Sequence, residues 1–229
     1  MPNKVLVVAA HPDDEVLGVG GTIIRHAEQG DCIKILLMAE GLTSRKDKRD
    51  TEGFQKELDA LHRQAQSVAR ILGADEIRLC NFPDNRMDGI ERLDIIKPIE
   101  HLIDEFHPNI VYTHHAGDVN VDHFVTHEAV VTATRSVPGQ FVKEIYFFET
   151  LSSTEWQMQT ADRAFLPTLF VDIESVFERK MEALNLYDSE MREYPHPRSY
   201  RAVKSLAEYR GCTSGVHMSE AFSIGRIIR

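Results

Sequence analysis

The stretch VLVVAAHPDDEVLGVGGT, residues 5–22, decides how this chain is read. Residues 5–10 are continuously apolar and rich in valine, the pattern of a strand buried on both faces. The run stops at His11 and Pro12. Three acids follow, Asp13, Asp14 and Glu15, and then the glycines Gly18, Gly20 and Gly21. Two chemistries compete for such a strand end. Glycines suit a turn that cradles a dinucleotide phosphate, whereas a histidine beside acids suits a metal and acid–base site.

Working outward, apolar runs predict further strands over 33–39, 77–81, 110–114, 144–148 and 169–173. Between them, helical periodicity covers about 16–29, 54–72, 93–106 and 122–135, with Gly30, Gly73 and His107-Pro108 as stops. Residues 41–52 are polar and charged and read as a loop. The alternation predicts one α/β domain over 1–229, with a mostly parallel sheet and helices on both faces. From about Glu174 the chain reads as a charged helical extension. Ligands of such sheets sit beyond the carboxyl ends of the strands. His11–Glu15, Glu40, Pro83–Asp88 and His114–His123 all follow a strand, so they are expected on one edge.

Bulk composition narrows the function classes. The 229 residues are 42% hydrophobic and 27% charged, ordinary for a globular protein with its own core. A net charge of −10 argues against a broad nucleic-acid face. Cys32, Cys80 and Cys212 are scattered, which predicts reduced, mostly buried thiols and a cytoplasmic location. The apolar run of residues 5–10 is too short for a signal-peptide core or a membrane span.

The dinucleotide reading fails on placement. Its glycines must directly follow the strand, where the backbone meets the pyrophosphate. Here His-Pro-Asp-Asp-Glu takes that place, and its carboxylates would repel phosphate. A third glycine is also missing, since Ile24 stands three residues after Gly21. The metal reading fits better. His11 and Asp14 are both ordinary Zn²⁺ ligands, and a catalytic site wants three protein ligands and an open position. Asp13, between them, is placed as a general base. Capping of the first helix by Asp13, Asp14 and Glu15 explains one or two of these acids, but not the preceding His. The third ligand is sought in THHAGDVNVDHFVTHEAV, residues 113–130. His123, at the start of a helix, is the better candidate, with Asp122 beside it to orient a ligand. His127 reads as a helix-face residue without a catalytic task. His114 and His115 point to opposite faces, so at most one faces the site.

At these residues the chain resembles the PIG-L/LmbE family of metal-dependent N-deacetylases. Ala10–Glu15 matches the family's A-H-P-D-D-E, and Asp122-His123 matches its Asp-His pair after the fourth strand. NFPDNRMD (81–88) and GVHMSEAF (215–222) also look like family stretches. The resemblance implies a Rossmann-like three-layer fold and a divalent metal, usually zinc, on His11, Asp14 and His123. It implies Asp13 as the base that activates water, and hydrolysis of the N-acetyl group of an amino sugar or its conjugate.

One departure stands out. Many members read H-P-D-H where this chain reads Asn120-Val121-Asp122-His123. Asn120 can donate to an oxyanion but cannot deliver a proton. Either Asp13 shuttles the proton to the leaving amine, or His114 or His115 supplies it. Asp84, Arg86 and Asp88 are candidate substrate contacts, with an ordinary polar turn as the competing reading. Arg45, Lys46, Lys48 and Arg49 read as a solvated charge run. Residues 193–211, with Arg198, Arg201 and Lys204, either complete the pocket or build a subunit contact. The expected partner is a small amino-sugar substrate, without nucleic acid or a membrane span, and self-association stays open. Alternatives are hydrolysis of another amide, such as a sugar–thiol conjugate, a non-catalytic metal-binding module and the disfavoured nucleotide-binding oxidoreductase.

Overall fold

Strand β1 (Lys4–Ala9) lies between two parallel neighbours in the computed structural model, which describes residues 2–45 and 53–229. Val5, Val7 and Ala9 enter one core cluster, and Leu6 and Val8 enter the other. That alternation is why the run is apolar at every position. The sheet has seven strands in the order β3-β2-β1-β4-β5-β7-β6. The others are β2 (Cys32–Ala39), β3 (Glu76–Phe82), β4 (Ile110–His114), β5 (Glu144–Phe148), β6 (Leu169–Asp172) and β7 (Ser219–Ile227). The first five pair in parallel, and β7 runs antiparallel to both β5 and β6.

Helices cover both faces, giving three layers. Helices α1 (Asp14–Glu28), α2 (Gln55–Leu72), α5 (Phe177–Asn185) and α6 (Tyr200–Ser214) share one core. Helices α3 (Arg92–Phe106) and α4 (Val121–Ala133) close the other. Gly73 and His107 end α2 and α3 in left-handed conformation, as their positions predicted. The chain leaves β1 toward β2 and β3, then crosses back to β4. The crevice between the carboxyl ends of β1 and β4 is therefore the switch point of the sheet, where ligands of this architecture bind.

Three expectations change. The chain after Glu174 is not wholly helical, because its last element, β7, completes the sheet. Its pattern is obscured by a buried acid: Glu220 pairs with buried Lys180 at 2.7 Å. Cys32 and Cys212 are exposed rather than buried, at the first position of β2 and on the outer side of α6. Of the loop read over 41–52, Thr43–Arg45 form a 3-10 turn. The side chain of Arg45 and the basic residues Lys46, Lys48 and Arg49 lie outside the described residues.

Close packing explains two of the three glycines of α1, Gly18 and Gly21. A Cβ on Gly18 would lie 2.3 Å from the Phe148 ring, and one on Gly21 would lie 2.7 Å from Ile173. Glu220 reaches α1 at this point, accepting from the Gly21 and Thr22 N–H groups at 2.8 and 2.7 Å, while Lys180 donates to Leu17 O. A Cβ on Gly20 has more room, its nearest neighbour being a Val16 methyl 3.3 Å away. Gly18→Ala is therefore expected to cost about 1–3 kcal/mol in urea unfolding. Gly20→Ala should be neutral or gain up to about 1 kcal/mol from helix propensity. Equal effects of the two would refute this account of the glycines.

Candidate metal centre

Each strand end at the switch point delivers one part of a buried cluster. After β1, the chain turns at His11 and Pro12 and enters α1 through Asp13, the residue preceding the helix. After β4, Asp118 and Asn120 lead into α4. Asn120 caps that helix, its side-chain oxygen accepting from Asp122 N–H at 2.9 Å. Asp122 and His123 then fall in the first turn of α4, both buried. After β3, Asp84 approaches from the other flank.

The cluster is ordered around Asp14, which is fully buried. Its Oδ2 lies 3.2 Å from His11 Nδ1, 3.1 Å from His123 Nε2 and 3.5 Å from His114 Nε2. The outer nitrogens of two of these histidines face other aspartates. His11 Nε2 is 2.9 Å from Asp122 Oδ2, and His123 Nδ1 is 3.1 Å from Asp118 Oδ2. Each aspartate thus fixes a ring so that its remaining nitrogen points toward Asp14.

Five buried aspartates crowd this site, and Asp84, Asp118 and Asp122 have ordinary donors. Asp122 accepts from the N–H groups of Asn85 and Met87. Asp118 accepts from the hydroxyls of Ser153 and Thr154 and from Asn120 N–H. Asp84 accepts from Ser44 and from the Asn85 amide. Asp14 differs. Its Oδ1 has no hydrogen-bond partner, and neither has His123 Nε2 beside it. An orphaned carboxylate oxygen and an orphaned imidazole nitrogen, both buried, are costly unless something cationic joins them. The donor set His11, Asp14 and His123 fits a divalent metal of the zinc type, with all three ligating atoms within 4.8 Å of one another. His11–Asp84–Asp122 and His114–Asp118–His123 are also within that distance, but Asp84, Asp118 and Asp122 already accept from the donors above.

The same crowding sets the charges. Burial disfavours the charged form of His11, yet hydrogen bonds to Asp122, Asp14 and Asp84 outweigh it and hold its pKa well above the usual value. Burial would raise Asp14, but His123 and His11 keep it well below the carboxylate range. Asp13 has no such pair of histidines. Burial lifts its carboxyl to about 7, with Arg198 pulling it down and Asp14 pushing it up. A carboxyl near neutrality can take up and release a proton at ordinary pH.

The cleft over this cluster, about 150 Å³, is lined by His11, Asp13, Asp84, Asn120, Glu190 and Arg198, among others. Arg86 and Asp88 are not among its described lining residues, although Asp84 is. Asn120 lines the cleft with its amide engaged, the oxygen in the α4 cap and the nitrogen on Asn85 at 3.1 Å. The histidines considered as proton sources are committed too. His114 Nε2 accepts from Ala10 N–H at 2.9 Å, and burial holds its pKa well below normal. His115 Nε2 donates to Arg163 O. His127 donates from Nδ1 to His114 O, behind the cluster. Two residues gained importance that the sequence pattern did not single out. Asp118 backs His123, and Arg198, from the undecided run 193–211, reaches Asp13 at 3.1 Å.

Comparisons with known proteins give the chain a family and a fold. The model of the PIG-L family, described as GlcNAc-PI de-N-acetylase, matches residues 6–134. An uncharacterized deacetylase of Escherichia coli (strain K12), YaiS, is 29% identical over 81% of this chain and 90% of its own. The 4-oxalmesaconate hydratase of Pseudomonas putida is also 29% identical, over 80% of this chain and 72% of its own. In fold, N,N'-diacetylchitobiose deacetylase from Pyrococcus horikoshii superposes with a TM-score of 0.77 at 20% identity, covering 98% of this chain and 84% of that one.

The relay from Asp118 and Asp122 to the histidines makes a prediction about metal affinity. In equilibrium dialysis against Zn²⁺, Asp118→Asn and Asp122→Asn should each weaken binding by about 10–100-fold. Unchanged affinity in both would show that the aspartates do not orient the ligands.

Proposed function

The chain belongs to the PIG-L family of GlcNAc-PI de-N-acetylases, and from that premise we propose that it hydrolyses the N-acetyl group of an amino sugar or its conjugate. The observation that carries this reading is the pair of orphaned buried atoms, Asp14 Oδ1 and His123 Nε2, next to a cleft lined by His11 and Asp13. His11, Asp14 and His123 hold the metal, taken here as Zn²⁺. When bound, such an ion supplies Lewis acidity to the amide carbonyl and makes water a nucleophile near neutral pH.

The remaining steps fall to the chain's own side chains. Asp13 accepts a proton from the attacking water. As the carbon–nitrogen bond breaks, it returns that proton to the leaving nitrogen, so acetate and a free amine depart. Asp13 is favoured over a histidine as the proton donor because both ring nitrogens of His114, and Nε2 of His115, have other partners. Asn120 holds Asp122 and His123 in register by capping α4, and its amide faces the cleft as a donor for the substrate carbonyl once it parts from Asn85. Asp84 contacts sugar hydroxyls from the other flank. Arg86 and Asp88 shape the loop that presents Asp84.

No described helix is long and apolar enough to cross a membrane. A cytoplasmic enzyme acting on a small diffusible substrate is in keeping with that, with the acidic charge and with three unpaired cysteines.

The decisive assay measures acetate released from N-acetylhexosamines, their glycosides and their nucleotide conjugates, with and without a chelator. Release that the chelator abolishes and Zn²⁺ restores is expected. Asp13→Asn should keep its metal and lose about 10²–10⁴-fold in rate. Full activity in that variant would remove Asp13 as the base. The relative named as a hydratase supplies the competing outcome: chelator-sensitive addition of water to an unsaturated acid, with no acetate released from any N-acetyl sugar, would replace this reading.

A further inference from the structure

The Asp13 carboxylate does not owe its position to an ordinary turn. Asp13 sits at φ 112°, ψ −31°, in a left-handed region that favours glycine. A side-chain-bearing residue there is strained and persists only where its surroundings enforce it. The surroundings that do so come from the far end of the chain. Asp13 N–H donates to Glu15 Oε2 at 3.0 Å, and Glu15 Oε1 accepts from the hydroxyl of buried Tyr187 at 2.9 Å. The carboxylate itself accepts from Arg198 Nη1 at 3.1 Å.

Arg198 is in turn held at several atoms. Its Nε donates to Ser152 Oγ at 2.9 Å, and its main-chain N–H donates to His196 Nδ1 at 3.0 Å. Its carbonyl accepts from Arg192 N–H at 2.8 Å. Ser199, the next residue, caps α6 through its hydroxyl. The guanidinium is thus anchored to the β5–β6 connection through Ser152, and the main chain that carries it leads into a capped helix. It makes no ion pair with His11, Asp14 or His123 among the described residues; its partner in the cluster is Asp13.

We propose that Arg198 is a positioning residue for the general base. It takes one oxygen of Asp13 and fixes the plane of the carboxylate, so that the other oxygen meets the attacking water. Residues 187–198 therefore serve as a clamp on the base, which gives the undecided C-terminal run a task. This proposal rests on the assignment of Asp13 as base. Arg198 touches neither metal nor scissile bond, so its loss should act on turnover and not on binding. A lysine in its place keeps a donor for Asp13 but loses the planar fork that also bonds Ser152.

The test combines kinetics with a structure of the variant. In Arg198→Ala, kcat is expected to fall about a hundredfold, the cost of a small misplacement. KM should stay within about twofold and the metal content should be unchanged. Arg198→Lys should recover part of kcat, and guanidinium ion at millimolar concentration should partly rescue Arg198→Ala. A crystal structure of Arg198→Ala should show the Asp13 carboxylate displaced from its wild-type position. Wild-type kcat in Arg198→Ala, a loss confined to KM, or Asp13 in its wild-type place would each overturn the proposal. The crystallographic arm decides it even if the wild-type protein releases no acetate, an outcome that would count only against the deacetylase reading.

Discussion

The site depends on one buried carboxylate. Asp14 stands at the end of β1 with no exposed surface, three histidines around one oxygen and nothing bonded to the other. Removing a charge from water costs several kcal/mol, and a buried anion survives only with compensating charge or donors. Asp84, Asp118 and Asp122 find donors in hydroxyls, amides and backbone N–H groups. Asp14 is compensated on one oxygen only, by the His11 N–H and by the imidazoles of His11 and His123, and both of those rings already serve other aspartates. The balance of the cluster is negative, and a cation on Asp14 resolves it.

The fold exists around that arrangement in a specific sense. At the switch point between β1 and β4, two adjacent parallel strands send their following helices to opposite faces of the sheet. It delivers Asp14 in the first turn of α1 and His123 in the first turn of α4, so the two face each other across the crevice. The C-terminal third then acts from behind and above. The Lys180–Glu220 pair ties α5 and β7 to the glycine-rich stretch of α1, and Arg198 reaches over to Asp13. A rigid first helix and a clamped base are two results of the same packing.

How much of this the sequence disclosed follows from which interactions are local. β1 was legible because both of its faces are buried, so apolarity is continuous. His11, Asp13 and Asp14 were legible because a proline turn sets their spacing within a few residues. His123 was legible as a histidine at the start of a helix that follows a strand. β7 was not, because its inward position Glu220 is a charge whose partner, Lys180, lies in another element. Arg198 was visible only as a basic residue in a basic run. Its target is 185 positions away, and no periodicity reports a contact of that range. The committed state of Asn120, His114 and His115 likewise depends on partners brought together by the sheet.

The most direct measurement is anomalous diffraction at the zinc edge from crystals soaked in Zn²⁺. The account predicts one dominant peak bonded to His11 Nδ1, Asp14 and His123 Nε2, at about 2.0–2.2 Å from each ligand atom. A peak placed instead among His11 Nε2, Asp84 and Asp122, or no ordered ion at Asp14, would contradict it.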